Sequence, residues 1–398
     1  MSLQTIRDVV IKNQRVLIRL DLDVPLDEKG RVTDFTRIEK TLPTLQYLLE
    51  QGAKQLVILG HLDRPEGKKD KALSTAVIVT FLEKQLKQKV GHLDNCVGIK
   101  LPATKVVVLE NLRFHPEEES KTEKIRDEFA KKLARTGDLY VNEAFAVSHR
   151  DQASVTSLPK FLPAVAGLYL AEEVRCLEDF LKKLEHPVTL IIGGAKVETK
   201  LKLIRSFYEK ADCFIFGGAL ANTFLAAEGH EIGQSLHEQD KLELAQEILM
   251  SIEGAGKTYC LPQDVKVADR IVDNVITVGL PVEDLDFNML IGDIGPKTIE
   301  QYMTIIQKSK TVILNGPLGV FEKKPFEKGT KLILEAIASS RGISVIGGGD
   351  TLEALRKFKI PFSRFSHVSL GGGALLEMLA EGKLVGVEAI KDKKVIKS

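Results

Sequence analysis

The chain of 398 residues contains no tryptophan, and aromatic residues make up only 6% of it. Its cysteines, Cys96, Cys176, Cys213 and Cys260, lie far apart and form no C-x-x-C or other spacing typical of a metal site. We therefore expect free thiols in a reducing compartment. Charged residues interrupt every apolar run before it reaches membrane-spanning length, and the N-terminal segment does not resemble a secretory signal. These features predict a cytoplasmic protein.

An excess of either charge is also missing, because 56 Lys and Arg residues face 55 Asp and Glu residues, for a net charge of +1. No overall basic field exists to attract nucleic acid or an anionic membrane, so any anion site must be local. Hydrophobic residues make up 44% and charged residues 28%, as in ordinary globular proteins. At about 100–200 residues per domain, the length predicts two to three domains.

Short β-branched runs alternate with amphipathic stretches of helical length, which predicts an α/β protein with parallel sheets and crossover helices. The predicted strands of the first half are 16–20, 56–59, 106–109 and 139–141, and its predicted helices are 36–51, 76–88 and 118–134. The predicted strands of the second half are 188–192, 213–216, 312–314, 345–346 and 368–370. A helix from about 171 to 184, between Pro163 and Pro187, is predicted to connect the halves.

The residues that follow the predicted strands differ between the two halves. The first half places cationic side chains at or near its strand ends, namely Arg19, His61, Arg64, Arg113, His149 and Arg150. The second half places glycine clusters there, in IIGGAK, FGGALAN, LNGPLG, IGGGDT and LGGGAL, each before a helix. Ligands of open α/β sheets bind beyond the carboxyl ends of the strands. The first half therefore suits a compact polyanion, and the second offers backbone amides to the phosphates of a nucleotide.

Two glycine-rich junctions of the second half add side chains suited to a nucleotide. Lys196 and Lys200 are four residues apart, on one face of the predicted helix, where both can reach one phosphate chain or can simply be solvated. Asp350 and Thr351 begin another helix, where Asp350 can hold Mg2+ or can cap the helix. Neither junction alone distinguishes a site from a structural turn.

Other motif matches fail. GAGKT at 254–258 resembles a P-loop, but Ser251 stands where the first glycine is needed, and the strand-like TYCLP follows where a helix is required. His230-Glu231 lacks the second histidine of a zinc protease helix, because residue 234 is Gln234. No G-x-S-x-G elbow and no protein-kinase loops are found.

Ten segments, in order and spanning essentially the whole chain, resemble the phosphoglycerate kinase family: RLDLDVP, TRIEKTLPT, GHLDRP, LENLRFH, NEAFAVSHR, GGAKVETK, GGALANTF, NGPLGVFE, GGGDT and GGGALLE. The resemblance implies two Rossmann-like lobes, each a parallel sheet flanked by helices, joined by a connecting helix. The implied lobes are a phosphoglycerate-binding lobe at 1–170, to which the tail at 383–398 returns, a connecting helix at 171–185 and a nucleotide-binding lobe at 186–382.

The family reaction is reversible phosphoryl transfer between 1,3-bisphosphoglycerate plus ADP and 3-phosphoglycerate plus ATP, by in-line transfer after lobe closure. The resemblance implies a monomer that uses Mg2+ and small-molecule substrates and binds neither nucleic acid nor membrane. The implied phosphoglycerate site consists of Asp21, Asp23, Arg37, His61, Arg64, Arg113 and Arg150, with Arg19 and His149 nearby.

The nucleotide site implied by the resemblance consists of Gly194, Ala195, Lys196, Lys200, Gly217, Gly218, Asn315, Pro317, Val320, Glu322, Gly348, Gly349, Asp350 and Thr351. Within it, Glu322 would accept from the ribose hydroxyls and Asp350 would be the magnesium ligand. Arg37, Lys196 and Gly372, with the other amides of 371–373, would surround the transferred phosphoryl group.

The chain departs from the family pattern at several positions. Asp23 stands where the family usually has Asn, and Asp63 stands where it usually has Gly, so two carboxylates lie near a site for a polyanion. Gln152 replaces a usual His, Leu370 replaces a usual Thr, and the segments FAVSH and IGDIGP also differ from the sequences that are common in the family.

Two other functions remain open. One is a catalytically silent homologue that binds nucleotide and acts as an interaction protein, against which the retained Arg37, Lys196, Lys200 and Asp350 argue. The other is a nicotinamide-dependent Rossmann oxidoreductase, but no convincing G-x-G-x-x-G with an acidic residue about 20 positions later is present.

Overall fold

The computed structural model describes residues 3–391 of the chain. The chain divides into two compact units, the first made of Met1–Leu177 and Lys383–Ser398 in their described parts, and the second of Glu178–Gly382. The division falls within the helix Leu168–Lys182, which begins three residues before the predicted connector. The lobe boundaries at 170 and 186 stay a prediction, and residues 392–398 of the implied returning tail lie outside the described residues.

In the described part of the chain, the first unit contains a six-stranded parallel sheet. Its strands are β1 (Arg15–Arg19), β2 (Gln55–Leu59), β3 (Val90–Leu93), β4 (Val106–Leu109), β5 (Leu139–Asn142) and β6 (Ala164–Ala166), in the order β3-β4-β2-β1-β5-β6. Strands β2, β4 and β5 are buried along their whole length, as expected for continuous apolar runs covered on both faces of a parallel sheet. The carboxyl ends of β1, β2 and β5 lie side by side, since Arg19 pairs in register with Leu59 and Asn142.

The helices of the first continuous stretch of this unit are α1 (Thr36–Glu39), α2 (Leu42–Glu50), α3 (Val79–Leu86) and α4 (Glu123–Ala134), and α5 (Leu168–Lys182) runs from it into the second unit. The single helix predicted for 36–51 is therefore wrong in detail. A second helix begins at Leu42, with Pro43 in its first turn, where the missing N–H of proline is tolerated.

The second unit contains a six-stranded parallel sheet and a separate antiparallel sheet. Its strands are β7 (Val188–Ile192), β8 (Cys213–Phe216), β9 (Thr258–Cys260), β10 (Asp264–Ala268), β11 (Val278–Pro281), β12 (Leu290–Ile294), β13 (Thr311–Asn315), β14 (Ile343–Gly347) and β15 (His367–Ser369). The parallel order is β15-β14-β13-β7-β8-β9, and the antiparallel order is β11-β10-β12. The two parallel sheets flanked by helices confirm the predicted two-lobed α/β fold.

The second unit contains α6 (Glu198–Ser206), α7 (Gly218–Ala227), α8 (Leu242–Gly254), α9 (Pro296–Lys308), α10 (Lys328–Ser339), α11 (Gly349–Lys357) and α12 (Gly372–Glu381). The next helix, α13 (Val385–Lys391), belongs to the first unit and contacts β6. The backbone N–H of Gly386 donates to the carbonyl of Ser148 over 2.8 Å, and a side chain at Gly386 would meet Val155.

No helix within residues 3–391 is long and apolar enough to span a membrane. The same residues contain no cluster of three or more His, Cys, Asp or Glu side chains able to hold a metal ion by themselves.

Candidate active site

The strand ends of the first unit bring several predicted cationic side chains together. Arg19 is the last residue of β1, and His61 follows β2 by two residues. Arg19 is fully buried, its Nε donates to Ser154 Oγ over 3.0 Å, and its Nη2 lies 2.9 Å from His61 Nδ1. The predicted convergence of strand-end side chains is therefore present here.

The contact with Arg19 determines the tautomer of His61. A guanidinium can only donate, so His61 Nδ1 must accept and the ring proton must reside on Nε2. Burial, reinforced by Arg19 and then by Arg113, holds the pKa of His61 well below its ordinary value. His61 is therefore a neutral hydrogen-bond donor through Nε2, whereas the surrounding arginines supply the positive charge.

Two carboxylates that follow β1 face Arg37, which is in α1. Arg37 Nη1 lies 2.9 Å from Asp21 Oδ2 and 3.9 Å from Asp23 Oδ2. Asp21 raises the pKa of Arg37, with a further contribution from Asp23, while burial raises the pKa of Asp21. Arg37 thus stays charged, but Asp21 and Asp23 compete with any bound anion for it.

Asp23 and Asp63, the two acidic departures from the family pattern, are connected. The backbone N–H of Asp63 donates to Asp23 Oδ1 over 2.9 Å, and the Asp63 carbonyl accepts from Arg113 Nη1 over 2.8 Å. Asp63 has φ +52, a left-handed conformation in which glycine is most at ease and aspartate is among the better tolerated alternatives. The backbone conformation that would favour Gly is therefore kept, and it orients Arg113.

Glu119 occupies part of the same basic region. Its Oε1 lies 2.7 Å from Arg113 Nη2 and 4.0 Å from Arg150 Nη1. The Gln152 side chain, at the position of the usual family histidine, also donates to this oxygen over 2.7 Å. Sequence reasoning missed Glu119, because an acidic run in a short 3-10 helix resembles a solvated surface.

The remaining predicted cations of the first unit are less enclosed. Arg64 is exposed, and both His149 and Arg150 are half-buried. Burial lowers the pKa of Arg150, and repulsion from Arg113 and Arg64 lowers it further. Such mutual repulsion between guanidinium groups would be relieved by an anion bound among them.

In the second unit, three glycine-rich turns contact one another through the backbone. Gly194 N–H donates to the Pro317 carbonyl over 2.9 Å, and Gly218 N–H donates to the Leu318 carbonyl over 3.0 Å. Gly194 has φ +96, and a Cβ at Gly218 would lie 2.8 Å from the Gly194 carbonyl oxygen. These turns after β7, β8 and β13 therefore require glycine for both conformation and space.

A hydrogen-bond chain links the second predicted lysine to the last residue of β14. Lys200 Nζ donates to Asn315 Oδ1, and Asn315 Nδ2 donates to the Gly347 carbonyl over 2.9 Å. Burial lowers the pKa of Lys200 to about 8, although nearby Asp350 opposes the shift. Thr351 Oγ1 accepts from Gly316 N–H over 2.9 Å. Lys200, Asn315 and Thr351 are therefore held in place by neighbouring strand ends.

A cavity of about 520 Å³ lies beside these turns. The predicted residues that border it are Gly194, Ala195, Gly218, Pro317, Val320, Glu322 and Asp350. Sequence reasoning missed its apolar wall, which includes Leu236, Val265, Ile271, Leu290 and Ile291. The only sequence signal for that wall is the unusual IGDIGP segment, which runs from β12 into α9.

The other predicted residues of the second unit lie around the same strand ends without bordering this cavity. Lys196 is exposed just before α6, Gly217 precedes α7, and Gly348 and Gly349 lie at the start of α11. Gly372 begins α12, with open space where a side chain would project. The free N–H groups of helix starts are suited to phosphate oxygens.

Asp350 provides the carboxylate that a magnesium ion would need in this unit. Its side chain is exposed in the first turn of α11, and Asp350 also borders the cavity. Mg2+ is usually bound through one or two carboxylates together with substrate phosphates. The single carboxylate of Asp350, beside backbone amides suited to phosphate groups, therefore fits a magnesium ion.

Comparison with known proteins agrees with this arrangement. The family model for phosphoglycerate kinase matches residues 6–383. The phosphoglycerate kinases of Herpetosiphon aurantiacus and Moorella thermoacetica are each 40% identical over 400 residues, covering 99% of this chain and 100% of the relative.

Solved structures agree as well. Phosphoglycerate kinase from Coxiella burnetii has a TM-score of 0.84 at 36% identity, covering 98% of this chain and 100% of its own. The enzyme from Pyrococcus horikoshii has a TM-score of 0.84 at 30% identity, covering 97% of this chain and 98% of its own. With its strand-end cations in one unit and its glycine turns in the other, this chain belongs to the phosphoglycerate kinase family.

Proposed function

We propose that this chain catalyses reversible phosphoryl transfer between 1,3-bisphosphoglycerate plus ADP and 3-phosphoglycerate plus ATP. The observation that supports this most directly is the chemical difference between the strand ends of the two sheets. One set presents charged side chains around Arg19, His61 and Arg37, and the other presents backbone amides beside a partly apolar cavity. The first suits a small phosphorylated acid, and the second suits a nucleotide.

The phosphoglycerate would bind in the first unit. We assign its contacts to Asp21, Asp23, Arg37, His61, Arg64, Arg113 and Arg150. The neutral His61 Nε2–H can donate to an anionic oxygen or to a hydroxyl, and the arginines can each donate twice to a carboxylate or phosphate. Asp21 and Asp23 can accept from the substrate hydroxyl, since an ionised carboxylate only accepts.

The nucleotide would bind in the second unit, with its base against the apolar wall and its phosphates at the glycine turns. Lys196 and Lys200 would pair with phosphate oxygens, Glu322 would accept from the ribose, and Asp350 would hold Mg2+. When bound, Mg2+ supplies positive charge that offsets the negative charge of the nucleotide phosphates.

The transfer requires no protein base. The acceptor in the direction of ATP consumption is a carboxylate already ionised at neutral pH, so no proton has to be removed from it. The protein's part is to align the two oxygens and neutralise developing charge, which we assign to Arg37, Lys196 and the amide of Gly372. Because the two substrates bind to different units, we propose that the units close before transfer, which also excludes water.

We further propose that the protein acts as a cytoplasmic monomer, with a phosphoglycerate lobe at 1–170 and 383–398, a connecting helix at 171–185 and a nucleotide lobe at 186–382. The free cysteines support the cytoplasmic assignment. Nothing in the net charge favours nucleic acid or a membrane surface as a partner.

A coupled assay with ATP, Mg2+ and 3-phosphoglycerate tests the proposal. We expect turnover that is lost on chelation of Mg2+ and restored by its addition. Absence of turnover above a buffer control, with nucleotide binding confirmed by calorimetry, would favour a silent homologue. Nicotinamide binding in place of adenine nucleotide would favour the oxidoreductase.

A further inference from the structure

The second unit contains another cavity, of about 420 Å³, between α9, α10 and the antiparallel sheet. We call it the α9–α10 cavity. Ile299 and Met303 of α9 and Leu332 of α10 give it apolar walls, and Ile294 at the end of β12 borders both this cavity and the nucleotide cavity. Its volume lies within the range of about 300–1,000 Å³ typical of small-molecule sites.

Two lysines border the cavity. Lys266 of β10 is half-buried, and Lys328 is the exposed first residue of α10. Neither ammonium group makes a hydrogen bond or an ion pair within residues 3–391. An apolar chamber beside two cations that form no salt bridge is complementary to a ligand with a hydrophobic body and one anionic end.

The acidic groups of the cavity do not cancel this charge. Glu300 of α9 also borders it, and Asp293 of β12 lies opposite Lys266 in the strand register. Burial raises the pKa of Asp293 to about 8, although the backbone N–H groups of Gly329 and Ile294 and the Lys266 ammonium oppose the shift, so this side chain is mostly uncharged at pH 7. Two cations therefore face one ionised carboxylate, and the cavity is net positive.

The walls of the α9–α10 cavity also hold the loop that follows β13. Val320 N–H donates to the Gly292 carbonyl of β12 over 2.8 Å, and Leu318 N–H donates to Thr330 Oγ1 of α10 over 3.0 Å. Leu318 and Val320 both border the nucleotide cavity. A ligand that shifts β12 or α10 would therefore move residues against which the nucleotide is proposed to bind.

We propose that the α9–α10 cavity binds a small amphipathic anion, such as an aromatic carboxylate or sulfonate, and that its occupancy changes the affinity of the neighbouring cavity for nucleotide. The second half of this proposal rests on the proposed nucleotide site, whereas the first half does not. Such coupling would be reciprocal, so that nucleotide would change the affinity for the anion by the same factor.

The probe for the test is 8-anilinonaphthalene-1-sulfonate, an aromatic anion whose fluorescence rises in apolar surroundings. It is titrated into the full chain alone and with saturating Mg2+ and ADP, so that binding in the nucleotide cavity is blocked. We expect saturable binding of one probe per chain under both conditions. The double variant Lys266→Gln/Lys328→Gln should weaken it at least about tenfold, whereas Lys308→Gln, at the end of α9 and not among the residues that border the cavity, should not.

Two further measurements distinguish position and charge. Met303→Trp, which fills the cavity from α9, should abolish probe binding, and the uncharged N-phenyl-1-naphthylamine should bind equally well to wild type and to the double lysine variant. Two results would overturn the anion site: an apparent probe affinity that keeps falling in proportion to ADP without reaching a plateau, as in direct competition for one site, or wild-type binding by both the lysine and Met303→Trp variants. Calorimetric ADP affinity that is identical with and without probe would overturn the coupling. Failure of ADP to bind at all would instead count against the proposed function.

Discussion

Replacement of Asp23 by Asn is predicted to tighten the binding of 3-phosphoglycerate. In the structure, Asp23 Oδ1 accepts from Asp63 N–H over 2.9 Å, while Oδ2 lies 3.9 Å from both Arg37 Nη1 and His61 Nε2. The amide oxygen of Asn can keep the hydrogen bond to Asp63. The amide nitrogen would then stand where Oδ2 now lies, and it could donate to an anionic oxygen that the carboxylate can only repel.

The magnitude follows from the geometry. Two unit charges about 4 Å apart interact by about 1 kcal/mol in water and about 4 kcal/mol at an effective dielectric constant of 20. The Asp23 side chain is 40% exposed, so its repulsion of a bound anion lies nearer the value in water, and the arginines of the cluster reduce that repulsion further. Removal of the charge also frees Arg37 from one of its two competing carboxylates. A net gain of about 0.7–1.4 kcal/mol corresponds to a KM for 3-phosphoglycerate that is roughly three- to tenfold lower.

The assay measures both KM values and kcat for wild type and Asp23→Asn at one fixed ionic strength, with Glu28→Gln as a control. Glu28 is an exposed carboxylate of the same segment, so this variant removes an equal charge away from Arg37. We expect Asp23→Asn to lower KM for 3-phosphoglycerate and to leave KM for ATP unchanged, while Glu28→Gln changes neither. A KM for 3-phosphoglycerate that is unchanged or higher in Asp23→Asn would refute the repulsion and show that Asp23 serves to orient Arg37.

Three further predictions concern charges at the two sites. Arg37→Ala and Lys196→Ala should each lower kcat by a factor of about 10²–10³, while the nucleotide affinity measured by calorimetry changes much less. An unchanged kcat in both variants would show that neither residue acts in the transfer step. Burial lowers the pKa of Lys200 to about 8, so its positive charge is present below that pH and lost above it. The value of kcat/KM for ATP should therefore fall as pH rises from 7 to 9, and Lys200→Arg, which stays charged, should make this fall shallower. An equally steep fall in Lys200→Arg would show that Lys200 does not cause it. Burial raises the pKa of Asp293 from 3.8 to about 8, so the stability gained from its protonated carboxyl is fully present below about pH 4 and declines as pH rises toward 8. In urea unfolding, Asp293→Asn should therefore lower the free energy of unfolding by several kcal/mol less at pH 9 than at pH 5. A stability difference between the variant and the wild type that does not depend on pH would disprove the raised pKa.

Much of the fold and of the candidate site could be predicted from strand runs and the residues that follow them. Strands β1, β2, β4, β5, β7, β8 and β13 to β15 correspond to predicted runs, since buried parallel strands are continuously apolar. The antiparallel strands β10, β11 and β12 could not be recognised in this way. Charged residues or glycine interrupt their apolar runs, each is partly exposed, and they do not alternate with helices of the βαβ type.

The sequence predicted which residues form the site better than it predicted how those residues contact one another. The pattern of strand ends indicated that Arg19 and His61 would meet, but not that Arg19 would fix the neutral tautomer of His61. It also gave no sign that Asp23 would bind the backbone of Asp63. Such details depend on backbone φ and on side-chain directions across 40 or more residues of intervening chain, which one sequence does not specify.

The position of α13 has a consequence for how the protein is made. Residues 178–382 form one unit from a continuous stretch of chain, whereas the first unit needs α13, which the ribosome adds only after that stretch. Gly386 donates to the carbonyl of Ser148, immediately before His149 and Arg150, and packs against Val155. Domains fold as units while synthesis proceeds, so the second unit can finish folding before the first. The turn that presents Arg150 therefore gains its final support late in translation, and a nascent chain that ends before α13 lacks part of the framework of its anion site.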